Sequence, residues 1–237
     1  RLASTLPDAL SIGFMVNSGS EANELAVRLA RAHSGNHDMA VIEGAYHGHT
    51  GMLIDLSPYK FRGPGGKGEP EPWVHVLPIP DSYRRPDSEF NDEVRAGMSE
   101  AGPVAGFFST FGGNPVSCAI GMAVMDVIEG DRLMERASEL GGRFRHGLES
   151  LGESHELIGD VRGRGLFLGI EMVRDRATLE PAPNEASAVV DSMRERGVLL
   201  STDGPLHNVI KIKPPMVLNE EDVDETLSKI EWCLSED

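Results

Sequence analysis

A chain of 237 residues, 40% hydrophobic and 25% charged, is long enough to bury one large or two modest cores. Its net charge of −16 repels nucleic acid and anionic membrane surfaces, so neither is expected as a partner. Cys118 and Cys233 have no metal-type spacing, and neither an apolar run of about 20 residues nor a signal peptide is visible, which points to a reduced, cytoplasmic protein.

The chain opens on Arg1 within a helical pattern (Leu2, Leu6) that breaks at Pro7-Asp8, and it reads as a protein entered partway through. Ile12 to Val16 is a short apolar stretch expected to form a strand before the turn Ser18-Gly19-Ser20. Ala22, Leu25, Ala26, Leu29 and Ala30 then recur at helical spacing, with Gly35 as the expected stop. Ser18 and Ser20 suit an N-cap, and Glu21 suits the first turn. A small-residue turn opening a helix directs unpaired N–H groups outward at the positive end of the dipole. It is either a phosphate cradle or an ordinary cap.

Met39 to Ile42 reads as a strand feeding a turn at Gly44, which delivers Tyr46 and His47 to a strand end. An anion hole beside a strand-end aromatic suits a flat, phosphorylated cofactor. His47-x-His49 lacks further ligands at metal spacing, so no metal is expected there. Residues 62–72 are Gly- and Pro-rich but lack the order of a nucleotide-binding loop, and read as a flexible surface loop. Trp73 to Leu77 alternates as a strand, and Glu93 to Glu100 is a candidate helix.

Beyond this, Pro115 suits the first position of a helix capped by Asn114, and Asp131 is expected to cap the next, with Leu133, Leu140, Phe144 and Leu148 inward. Ile158 to Val173 reads as strand, turn and strand around Arg162-Gly163-Arg164-Gly165, which is not a dinucleotide fingerprint because Leu168 stands where the third glycine belongs. A helix over Asn184–Arg196, strands at Val198–Leu200 and Val209–Ile212, and a final helix over Glu220–Leu234 complete an α/β or α+β architecture.

The words Ser18-Gly19-Ser20-Glu21-Ala22-Asn23 and Tyr46-His47-Gly48-His49-Thr50 together resemble the fold-type I, pyridoxal-phosphate-dependent enzymes of aminotransferase class III. Leu53 to Phe61 is closest to the phospho-lyase branch, which acts on ethanolamine phosphate and phosphohydroxylysine. The resemblance implies an α/β fold with a large cofactor-binding domain over 1–129, a small domain over 130–237 and a homodimer. It implies pyridoxal 5'-phosphate as cofactor, held by Ser18, Gly19 and Ser20 at its phosphate, with Tyr46 stacked on the ring and His47 in the pocket. Thr110, in Ser109-Thr110-x-Gly112-Gly113, resembles the residue that reaches the phosphate of the partner subunit's cofactor; it suits equally a cap ahead of the Asn114 helix.

The same resemblance exposes a join near 107–108. Val104 to Phe107 is similar to the start of a buried family strand, whereas Phe108 to Pro115 is similar to a motif from much later in the family's order. The family places between them the Asp that pairs with the pyridine nitrogen and the Lys that forms a Schiff base with the cofactor. None of the five lysines (Lys60, Lys67, Lys211, Lys213, Lys229) occupies that position. Many amino-acid transaminases carry an Arg near Lys211 that forks a substrate carboxylate. A Lys there fits a phosphoamine substrate better, or is simply a solvent-facing strand end. The implied activity is elimination of phosphate from a small-molecule amine. The alternatives are an amine or amino-acid transaminase and a non-catalytic, truncated member of the family.

Overall fold

The computed structural model describes residues 1–8, 10, 12–79, 81, 83–84 and 114–235. The chain divides into two units, Arg1–Ile120 and Gly121–Asp237. The expected join at 107–108, the expected helix at 93–100 and Thr110 lie outside the described residues.

The first unit begins with a 3-10 helix over Leu2–Thr5 rather than an α-helical end. Residues 12–16 form no strand, and Ile12 is 77% exposed. Their apolar pattern favours an extended chain, but a strand exists only where a neighbour accepts its hydrogen bonds. Helix α1 spans Gly19–Ser34 and ends on Gly35 in the left-handed conformation, whose N–H donates to the Arg31 carbonyl. Strands β1 (Met39–Ile42) and β2 (Val74–Leu77) pair in parallel, Met39 opposite Val74. Between them lie two short helices, α2 (Gly51–Leu56) and α3 (Pro58–Phe61). A small core gathers Val27 of α1, Val41, Leu53, Leu56 and Val74.

The Gly-rich segment after α3 is tied down rather than loose. The Gly66 N–H donates to the Gly63 carbonyl and the Gly68 N–H to the Phe61 carbonyl. A Cβ on Gly66 would lie 2.3 Å from that same carbonyl oxygen, so only glycine fits. Lys67 bridges Asp55 and Glu71, and those two carboxylates hold its pKa well above the ordinary lysine value.

Helix α4 (Pro115–Gly130) starts as its sequence predicts: the Asn114 carboxamide oxygen accepts from the Ser117 N–H at 3.0 Å. Helix α5 (Leu133–Ser154) buries Leu133, Leu140, Phe144 and Leu148. Its cap is Arg132, with φ of 50° and no side-chain hydrogen bond, so Asp131 does not fill the expected role; its own N–H continues α4 by donating to Val127.

The second unit's sheet is antiparallel, in the order β3 (Ile158–Arg164), β4 (Phe167–Asp175), β7 (Val209–Ile212), β6 (Ser201–Asp203), with β5 (Glu180–Pro181) on β4. The β3–β4 hairpin turns at Gly165, and a Cβ on Gly141 of α5 would lie 2.2 Å from the Gly165 carbonyl oxygen. Helix and hairpin meet there backbone to backbone. Helices α6 (Pro183–Glu195) and α7 (Glu220–Ser235) complete the unit. Its core joins Phe144, Leu148, Ile170, Met172, Met193, Ile210 and Ile230. The strand expected at 198–200 is displaced to 201–203, where the ladder opposite β7 pairs Ser201 with Lys211.

Candidate cofactor site

The site is built where the entry to α1 meets the turn that follows β1. The Ser18 hydroxyl caps α1 by accepting from the Glu21 N–H at 3.1 Å. The Glu21 carboxylate reaches back to the Asn17 N–H at 2.8 Å. This is the reciprocal logic of a capping box, set one residue further out. Ser18 and Glu21 thus satisfy the Glu21 and Asn17 donors. The N–H groups of Gly19 and Ser20 have no partner among the described residues and remain available to an anion at the positive helix end.

The turn carrying Tyr46 and His47 is stapled to this helix end. The Ser20 hydroxyl accepts from the His49 N–H at 3.1 Å. The Asn23 amide donates to the His47 carbonyl at 2.7 Å, and the Thr50 hydroxyl donates to the Glu24 carboxylate at 2.5 Å. Gly48 permits the approach. Its φ is +144°, and a Cβ there would stand 2.6 Å from the Leu53 Cδ1 and 2.9 Å from the Ser20 Oγ.

A second set of bonds holds the turn from α2 and α3. Ser57, fully buried, accepts from the His47 N–H at 2.9 Å and donates to the Leu53 carbonyl at 2.5 Å. The Tyr59 N–H donates to the Ala45 carbonyl at 3.2 Å. Tyr46 is therefore fixed by its backbone while the residue is 53% exposed, as a stacking platform requires. The His47 Nε2 is buried with no hydrogen-bond partner, and burial lowers the imidazole pKa. A buried, unpaired ring nitrogen beside an exposed aromatic and two free amides fits a polar, phosphorylated ring.

The structure thus brings together Ser18, Gly19, Ser20, Tyr46 and His47. Lys211 belongs to the second unit, where its ammonium pairs with Asp203 at 2.5 Å across the β6–β7 ladder. That hydrogen bond, ahead of the one from the Gly204 N–H, lowers the Asp203 pKa. Ser57, Asn23 and Gly48 were not singled out from the sequence. Gly48 alone carried a signal, as a glycine between two histidines in a turn. Among the described residues no group of three His, Cys, Asp or Glu side chains could hold a metal ion, and no helix is long and apolar enough to cross a membrane.

A sequence model of the class-III aminotransferases matches residues 91–234. The alanine–glyoxylate aminotransferase 2-like protein of Drosophila melanogaster is 33% identical over 344 positions, which cover 99% of this chain and 69% of that protein. The chain belongs to the class III aminotransferase family.

A family relative in Caenorhabditis elegans, ethanolamine-phosphate phospho-lyase homolog 1, is 30% identical over 352 positions, covering 99% of this chain and 75% of its own. Among solved structures, a phospholyase from Arthrobacter in complex with phosphoethanolamine superposes with a TM-score of 0.84 at 28% identity, covering 99% of this chain and 79% of that one. The fold is accordingly that of the fold-type I transaminases and phospholyases. The first alignment spans 344 positions against 237 residues here, so the fly relative carries at least 107 residues opposite gaps in this chain. The family works with pyridoxal phosphate.

Two predictions follow from this geometry. Gly48→Ala should lose about 2 kcal/mol or more, read by urea unfolding, because the new Cβ both strains the backbone and overlaps Leu53 and Ser20. Wild-type stability in that variant would contradict the close packing. The second concerns pH. The folded pKa of His47 lies below its unfolded value, so its contribution is intact above about 6.5 and is lost as pH falls below that. Stability measured from about pH 8 to pH 5 should therefore decline less in His47→Gln than in the wild type. Parallel curves would show that His47 is not desolvated.

Proposed function

We propose that the α1–Tyr46 cradle is the pyridoxal 5'-phosphate end of a phosphoamine phospho-lyase site, with a small amine such as phosphoethanolamine as substrate. The observation that carries this reading is the pair of unpaired amides at Gly19 and Ser20 set against an exposed, backbone-fixed Tyr46. Likeness to a phospholyase that holds phosphoethanolamine supports the substrate class.

In this reading the Gly19 and Ser20 amides and the Ser20 hydroxyl bind the cofactor phosphate. The hydroxyl already accepts from the His49 N–H, so its own proton is free to point at the anion. Ser18 keeps the helix end wound, and Tyr46 supplies the stacking face. Burial disfavours the charged form of His47 and lowers its pKa, and its Nε2 offers one hydrogen bond to a polar ring substituent. When bound, the cofactor supplies an electron sink for the carbon that bears the amine. Thr110 is proposed to reach the partner's cofactor phosphate in a homodimer.

Turnover needs the Schiff-base lysine, and none of the five lysines stands in the family position. We assign that lysine to the span of at least 107 residues that the fly relative carries opposite gaps in this chain. Two other readings each have an observation behind them. The higher identity to an aminotransferase-like protein favours a transaminase, and the absent lysine favours a non-catalytic member that binds cofactor without turnover.

Product analysis on phosphoethanolamine with added cofactor separates the three. Equimolar phosphate and ammonia without any keto acid is the expected result for the polypeptide that carries the lysine-bearing span. Strict dependence on a keto-acid acceptor contradicts it in favour of a transaminase. Cofactor binding with neither product, in a polypeptide of 25.6 kDa, identifies the non-catalytic form.

A further inference from the structure

We propose that Lys60 is a specificity-determining residue that receives the phosphate of the amine substrate; this rests on the phospho-lyase reading above. Its ammonium lies 5.5 Å from the Tyr46 ring centroid and 5.5 Å from that of Tyr59, in the notch between two rings set at 76° to each other. Two faces of π density stabilise the cation there without neutralising it.

The contrast with the other lysine of the first unit and the paired ones of the second is informative in a chain of net charge −16. Lys67 pairs with Asp55 and Glu71, Lys211 with Asp203, and Lys229 with Glu225, while Lys213, just past β7 in the second unit, shares with Lys60 the lack of a carboxylate partner among the described residues. Lys60 has no carboxylate partner among the described residues, so its full charge and its N–H donors remain available. Its position is also fixed. Helix α3 carries it between buried Pro58 and buried Phe61, and the Tyr59 N–H ties that helix to the Ala45 carbonyl, one residue before Tyr46.

A substrate amine reacting at a ring stacked on Tyr46 carries its phosphate only two carbons away. A held, un-neutralised ammonium against the same tyrosine is the chemistry that selects a phosphomonoester dianion over a neutral hydroxyl. The cofactor's own phosphate is the other phosphomonoester at this site, so the test must separate the two.

Calorimetric titration of wild-type protein and of Lys60→Met and Lys60→Arg does so, using O-phosphoethanolamine and ethanolamine with cofactor present, and pyridoxal 5'-phosphate in a separate run. We expect the wild type to prefer phosphoethanolamine. Lys60→Met should weaken it by about 10-fold or more, the size of one charge-assisted hydrogen bond, and change ethanolamine and cofactor by less than about twofold. Lys60→Arg should keep most of the preference, and melting of both variants should match the wild type. The proposal is overturned by a wild type without preference, by unchanged phosphoethanolamine binding in Lys60→Met, or by an equal loss for ethanolamine or for the cofactor. Failure of the phospho-lyase reading is seen separately, as a wild type that binds phosphoethanolamine selectively yet releases no phosphate.

Discussion

The site depends on one close contact, the approach of the Gly48 backbone to Ser20 at the start of α1. With no Cβ at Gly48, the turn can lie against the helix end, and the Ser20 hydroxyl meets the His49 N–H at 3.1 Å. Asn23 and Glu24, three and four residues after Ser20 and so about one turn further along the helix, add bonds to the His47 carbonyl and the Thr50 hydroxyl. A typical hydrogen bond is worth about 1 kcal/mol net, so these three hold the turn mainly by acting together. Their consequence is geometric. The positive helix end and the tyrosine face are set in one fixed relation, which is what preorganised binding of a flat anion demands.

Polar pairing sets the electrostatic character of this cradle. A chain this acidic surrounds any anion with carboxylates, and the structure removes the nearest ones from competition. Glu21 spends its carboxylate on Asn17, and Glu24 accepts from Thr50. Burial lowers the imidazole pKa of His47, while Lys60 lies over the rings of Tyr46 and Tyr59 with no carboxylate partner among the described residues. Positive potential at the site therefore comes from backbone dipoles and one lysine rather than from a basic patch.

Much of the local architecture was legible in the sequence because it is decided within a few residues. Ser18 and Glu21 announced the start of α1, Gly35 its end, and Asn114-Pro115 the start of α4. The hairpin around Gly165 and the inward face of α5 followed from periodicity. What failed were features decided at a distance. The 12–16 stretch needed a pairing partner, and the strand at 201–203 was set by its register with β7. The contacts that build the site join Ser20 to His49, Asn23 to His47 and Ser57 to His47, across gaps no local pattern spans. Lys60 was legible only as a lysine outside the Schiff-base position; its seat between two tyrosines is a tertiary fact.

The central claim is that the start of α1 is an anion site built for a phosphorylated ring. Comparing the affinities of the protein for pyridoxal 5'-phosphate and for pyridoxal tests it most directly, since the two ligands share the ring and differ in the phosphate. Two charge-assisted bonds from the Gly19 and Ser20 amides predict tighter binding of the phosphorylated form by about 100-fold or more. Equal affinities would mean that the helix end is an ordinary cap, and the cofactor assignment for this site would fall with it.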